Sequence, residues 1–70
     1  MKTIDLHGLR HKDASALLTD CCSELDTPFE VITGHSHTMK KIVEAIAAEF
    51  NLTTRESIGN SGRIIVNESR

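Results

Sequence analysis

The chain has no Trp, no Tyr and two Phe in 70 residues. Its core must therefore be aliphatic. No apolar run approaches the roughly 18 residues that a membrane-spanning helix needs, so no membrane partner is expected. The opening residues, Met1-Lys2-Thr3-Ile4-Asp5, lack the apolar region of a signal peptide, and a cytosolic (cytoplasmic) location is the default expectation. Basic charge is also scarce. Eight Lys and Arg stand against ten Asp and Glu, a net charge of −2 with a pI of about 6.0. That counts against strong non-specific nucleic-acid binding, so any such binding must be local and use a few cations around one site. The two cysteines, Cys21 and Cys22, are adjacent. They cannot staple distant segments, and a disulfide between them would be strained. Reduced, packed thiols are expected.

What is there is one small domain over residues 1–70. At 39% apolar and 26% charged it reads as globular and soluble. A chain this short buries only about 60% of its unfolded surface, so its core must be efficient.

The stretch Ile4-Asp5-Leu6-His7-Gly8 organises the rest. It reads as the end of a strand over Lys2–Gly8. Side chains alternate along a strand, so Ile4 and Leu6 face a core while Asp5 and His7 share the other face, roughly 6–7 Å apart. A carboxylate beside an imidazole fixes its tautomer and raises its basicity, which suits a general acid or base.

After the turn Gly8-Leu9-Arg10-His11, a helix is predicted from about Lys12 to Leu25. Its apolar stripe is Ala14, Leu17, Leu18, Cys21, Cys22 and Leu25. Asp13 suits the first turn, but no good N-cap precedes it. Pro28 ends that region and opens the strand Phe29–Thr33. The turn Gly34-His35-Ser36-His37-Thr38 follows, with Ser36 or Thr38 as cap for a helix from about Thr38 to Phe50. Its stripe is Met39, Ile42, Val43, Ile46, Ala47 and Phe50, at the same spacing as the first. An edge strand over Thr53–Ile58, a turn at Gly59-Asn60-Ser61-Gly62 and a strand from Arg63 to Glu68 read as an antiparallel hairpin. Ser69-Arg70 should fray.

The order is β-α-β-α-β-β. It predicts an α/β (α+β) two-layer sandwich: a four-stranded mixed sheet, its first two strands parallel, with both helices on one face. Ligands bind at the carboxyl ends of strands in such sheets. The loops there are His7–His11 and Gly34–His37, and they hold all four histidines of the chain. Gly34 lets backbone approach a ligand closely, and the following helix N-terminus suits phosphate. Arg10, Lys12, Lys40, Lys41 and Arg63 are candidate cations around that site, together with the loop residues Ser36 and His37. Two chemistries are open. A pair of imidazoles can act as base and acid on an RNA 2′-hydroxyl with no metal or other cofactor. Alternatively, Asp5, His7, His35 and His37 could hold a divalent metal.

Ile4-Asp5-Leu6-His7-Gly8, with Leu9 after it, resembles the L-D-L-H-G signature of the small MutS-related (Smr) domain. Ile32-Thr33-Gly34 before a helix resembles the family's second motif, T/H-G-x-G. Asn60-Ser61-Gly62-Arg63-Ile64-Ile65-Val66 resembles its closing Gly-then-strand pattern. The resemblance covers about residues 3–68. It implies a fold similar to the C-terminal domain of bacterial translation initiation factor three. It also implies an endonuclease nicking DNA or cleaving RNA, in some members messenger RNA on stalled ribosomes, or a non-catalytic module that binds nucleic acid or ribosomes. Carried over, the family's functional positions are Asp5, His7 and Gly34; in this chain His35 or His37 is the candidate second acid or base. Three positions depart from the pattern. Ser36 replaces the second Gly, His35 stands where Lys or Arg is usual, and Arg10 stands where Thr usually caps the first helix. A protein-interaction module is the third expectation, and it predicts no salt-dependent nucleic-acid affinity.

Overall fold

Two helical stripes and four β-branched or alternating segments fold in the expected order. The computed structural model describes residues 1–68, so the expected fraying of Ser69 and Arg70 lies outside the described residues. The elements are β1 (Lys2–Asp5), α1 (His11–Glu24), β2 (Phe29–Ile32), α2 (His37–Glu49), β3 (Leu52–Ser57) and β4 (Asn60–Glu68). They form a small α+β domain with a four-stranded mixed sheet in the order β1-β2-β4-β3. β1 and β2 are parallel, while β4 runs antiparallel to both β2 and β3.

Alternation in the strands decides the layers. Phe29 and Val31 pair with Val66 and Ile64 and point into the core. Leu6, Ala14, Leu18, Cys21, Met39, Val43 and Ala47 complete it. Both helices therefore bury their stripes against one side of the sheet. The intervening residues Glu30, Ile32, Arg63 and Ile65 lie on the opposite side and are half-buried.

Several boundaries differ from expectation, each for a local reason. β1 stops at Asp5, not Gly8. The Asp5 carboxylate accepts the backbone N–H of His7, and the Leu9 N–H donates to the Leu6 carbonyl at 3.1 Å, so the chain turns here. Only the Leu6 N–H continues the ladder, donating to Ile32 at 2.9 Å. His11 opens α1 and so lies in the helix rather than the turn. Arg10 precedes it without a side-chain cap, as the sequence implied. Leu17 is off the core, 39% exposed, because the stripe narrows to Ala14, Leu18 and Cys21.

In α2 the cap is Ser36, whose hydroxyl accepts the Met39 N–H at 3.0 Å. The helix ends before Phe50. Asn51 takes a left-handed backbone (φ 59°) and its N–H returns to the Ala48 carbonyl, a common way for a helix to close. The expected turn at residues 59–62 is a turn at Ile58–Gly59 instead, and Asn60, Ser61 and Gly62 already belong to β4. Pairing jumps from Glu56↔Ile64 to Ser57↔Asn60, so residues 61–63 of β4 bulge away from β3. Arg63 still pairs with Ile32 of β2.

Candidate functional site

The bulge sits where β4 begins, beside the carboxyl end of β2. There the Gly62 carbonyl accepts the N–H of Thr33 at 2.9 Å and of Gly34 at 3.1 Å. The buried Thr33 hydroxyl donates to the Gly34 carbonyl at 2.9 Å, with the Gly62 carbonyl 3.2 Å away as a second acceptor. The Asn60 side-chain oxygen accepts the Gly62 N–H at 3.1 Å. Backbones approach closely: a β-carbon on Gly62 would lie 3.5 Å from the Gly34 Cα. These contacts pin the loop between β2 and α2. Gly34 within it has φ +65°, a conformation other residues rarely adopt.

The first loop leans on the second. A β-carbon on Gly34 would lie 3.8 Å from both Cβ and Cδ2 of His7. The His7 imidazole thus stands over the head of the β2–α2 loop. Asp5 lies beside it. One Asp5 oxygen accepts the His7 N–H at 3.0 Å and lies 3.5 Å from His7 Nδ1. The chain turn brings the two side chains closer than strand alternation alone predicts. Both remain open to solvent, His7 at 70% and Asp5 at 58% exposure.

His35 is exposed, and its Nδ1 lies 3.4 Å from the Ser61 hydroxyl on the bulge. His37 is the first residue of α2 and His11 the first of α1, both exposed. All four imidazoles therefore stand at the carboxyl edge of β1 and β2, as the topology implied. Backbone N–H groups of a helix's first turn lack intrahelical acceptors, so the start of α2 can present donors to an anion. Among the described residues the edge contains no pocket and is an open surface.

The expected cations divide. Arg10, Lys12 and Lys41 are exposed. Lys40 Nζ reaches Glu56 Oε2 on β3 at 3.1 Å, and Arg63 reaches Glu30 Oε1 at 2.9 Å. Lys40 is thus engaged from α2 by a β3 carboxylate, and Arg63 from β4 by one on β2. Among the described residues no three His, Cys, Asp or Glu side chains converge to hold a metal ion. Cys21 and Cys22 lie in the α1 stripe away from this edge, and burial pushes both thiols above their ordinary values.

Sequence reasoning missed Ser61, Thr33 and Asn60 as supports of the site. Their role comes from the bulge, which is a property of strand pairing. Gly62 sat in a turn-like cluster, and only its contact with Gly34 reveals its place.

No protein-family model, curated protein or solved structure matches the chain.

Proposed function

We propose that the chain is an Smr-like endonuclease acting on nucleic acid, with RNA ahead of DNA. The reading includes a likeness to the C-terminal domain of translation initiation factor three, and it rests on the first motif and the element order. The observation that carries it is the meeting of Asp5, His7 and Gly34 at the head of α2, with His35 next in the chain.

A carboxylate only accepts hydrogen bonds. Asp5 beside Nδ1 therefore favours the tautomer with the proton there, which leaves His7 Nε2 as a base. The Nδ1–carboxylate separation of 3.5 Å is long, and such contacts tighten when substrate binds. On RNA, Nε2 takes the proton of a 2′-hydroxyl and O2′ attacks the adjacent phosphorus. The bond to O5′ breaks, and His35 or His37 protonates that leaving oxygen. The Gly34–His37 loop and the first N–H groups of α2 hold the phosphate. The products carry a 2′,3′-cyclic phosphate and a 5′-hydroxyl. On DNA, which lacks the 2′-hydroxyl, the same base would act on water.

One observation favours a second reading, a non-catalytic module that binds nucleic acid or ribosomes. Lys40 and Arg63 are paired with Glu56 and Glu30, so the phosphate site draws on fewer cations.

The test incubates the protein with labelled single- and double-stranded RNA and DNA, with and without EDTA. Cleavage is expected, with RNA preferred. Salt-sensitive binding without product selects the second reading. Absence of any salt-dependent nucleic-acid affinity points to a protein-interaction module and contradicts both.

A further inference from the structure

Two imidazoles at this edge are each met at the same ring nitrogen, by partners of different chemistry. Asp5 lies 3.5 Å from Nδ1 of His7, and Ser61 Oγ lies 3.4 Å from Nδ1 of His35. We infer that Ser61 is a positioning residue that holds the His35 ring through Nδ1 and leaves its Nε2–H facing the phosphate. The inference rests on the nuclease reading for the role of His35, but the contact itself does not depend on it.

A hydroxyl is neutral and, like a carboxylate, can accept an imidazole N–H. In a neutral imidazole one nitrogen donates and the other accepts. In the imidazolium form that acts as acid, both His35 nitrogens donate, and Nδ1–H donates to the Ser61 oxygen. Nε2–H then donates to a phosphate oxygen and delivers its proton to O5′ as the P–O5′ bond breaks, which leaves a neutral His35 ring with its proton on Nδ1. His7, its Nδ1 proton facing Asp5, presents an unprotonated Nε2 to the 2′-hydroxyl. His7 thus serves as base and His35 as acid, each held through Nδ1. Between them they take up one proton and release one.

The backbone around Ser61 supports this. Ser61 lies in the segment of β4 that bulges away from β3, and bulges beside sites re-aim side chains. The bulge is held on both sides. Asn60 accepts the Gly62 N–H, and Gly62 accepts the N–H groups of Thr33 and Gly34. Ser61 and His35 therefore project from two backbone segments joined to each other. A hydroxyl one atom from the backbone on that frame is less free than a lysine or arginine would be.

The test compares wild-type protein with Ser61→Ala and Ser61→Thr. The nitrogen chemical shifts of the His35 ring, read by NMR at about pH 8 where imidazoles are ordinarily neutral, report directly on the contact. The expected result is a protonated Nδ1, hydrogen-bonded to Ser61, in wild type. Ser61→Ala shifts that nitrogen, and Ser61→Thr, which keeps the hydroxyl, restores it. A neutral ring with its proton on Nε2, or shifts indifferent to Ser61→Ala, overturns the inference. The same variants are assayed for RNA cleavage. Ser61→Ala is expected to lower kcat about ten- to a hundredfold with KM little changed, within the range of general acid catalysis. An unchanged kcat in a cleaving protein also overturns it. A wild-type protein that makes no product fails the nuclease reading, while the ring shifts still decide whether Ser61 positions His35.

Discussion

At the scale of single residues, Gly34 is where backbone and chemistry meet. Its φ of +65° belongs to the left-handed region, and His7 lies against the position a side chain would take. The added methyl of Gly34→Ala meets His7 at 3.8 Å, an ordinary contact, so the imidazole need not move. The cost is backbone strain of about 1–2 kcal/mol. Urea denaturation should show that loss, with the His7 ring signals little changed in NMR spectra. Displacement of His7 would mean that the loop rearranges instead. The His7–Asp5 pair was legible in the sequence because both residues sit in one short motif. Their closeness was underestimated, because alternation along a strand does not anticipate a turn closed by Asp5 itself. Lys40 and Arg63 were read as cations near phosphate by proximity in sequence. Their carboxylate partners, Glu56 and Glu30, come from other strands and follow from packing and register.

At the scale of elements, the helices and strands were legible because their periodicities are clean. Ala14, Leu18 and Cys21 repeat at helical spacing, as do Met39, Val43 and Ala47. The start of β4 was not legible. Asn60, Ser61 and Gly62 have the composition of a turn, and nothing local shows that the chain turns earlier, at Ile58–Gly59. Tertiary pairing overrides composition there, because the Gly62 carbonyl closes the β2–α2 loop. The consequence is testable at Gly62. A β-carbon would lie 3.5 and 3.6 Å from the Gly34 backbone, which is ordinary contact. Gly62→Ala should therefore be nearly neutral. Gly62→Val, whose branches push further towards Gly34, should cost about 1–3 kcal/mol by overpacking. Chemical denaturation of both variants checks the contrast, and equal losses would argue against the close approach.

At the scale of the whole molecule, 70 residues leave a net stability of roughly 4–10 kcal/mol, so small terms matter. One is linked to pH. The Cys21 thiol is raised first by burial, then by Asp20 and Glu24, with Lys2 opposing. Cys22 is raised by burial and by Cys21. The native state thus keeps these protons where the unfolded chain, with thiols near about 8.5, has begun to lose them. This contribution is complete below that value and is lost as pH rises through the folded values. Stability should fall as pH rises above about 8, and less steeply in a Cys21→Ala, Cys22→Ala variant. Urea midpoints above that pH measure the difference between the two slopes. The function claimed for the molecule rests on the edge where β1, β2 and β4 bring His7, Gly34, His35 and Ser61 together. Its most direct test is cleavage of end-labelled single-stranded RNA by wild type and by His7→Ala, with the product termini identified. Wild type is expected to leave 2′,3′-cyclic phosphate ends, and a folded His7→Ala to cleave about 10²–10⁴-fold more slowly. Cleavage by that variant at the wild-type rate, or no product from wild type, would contradict that function.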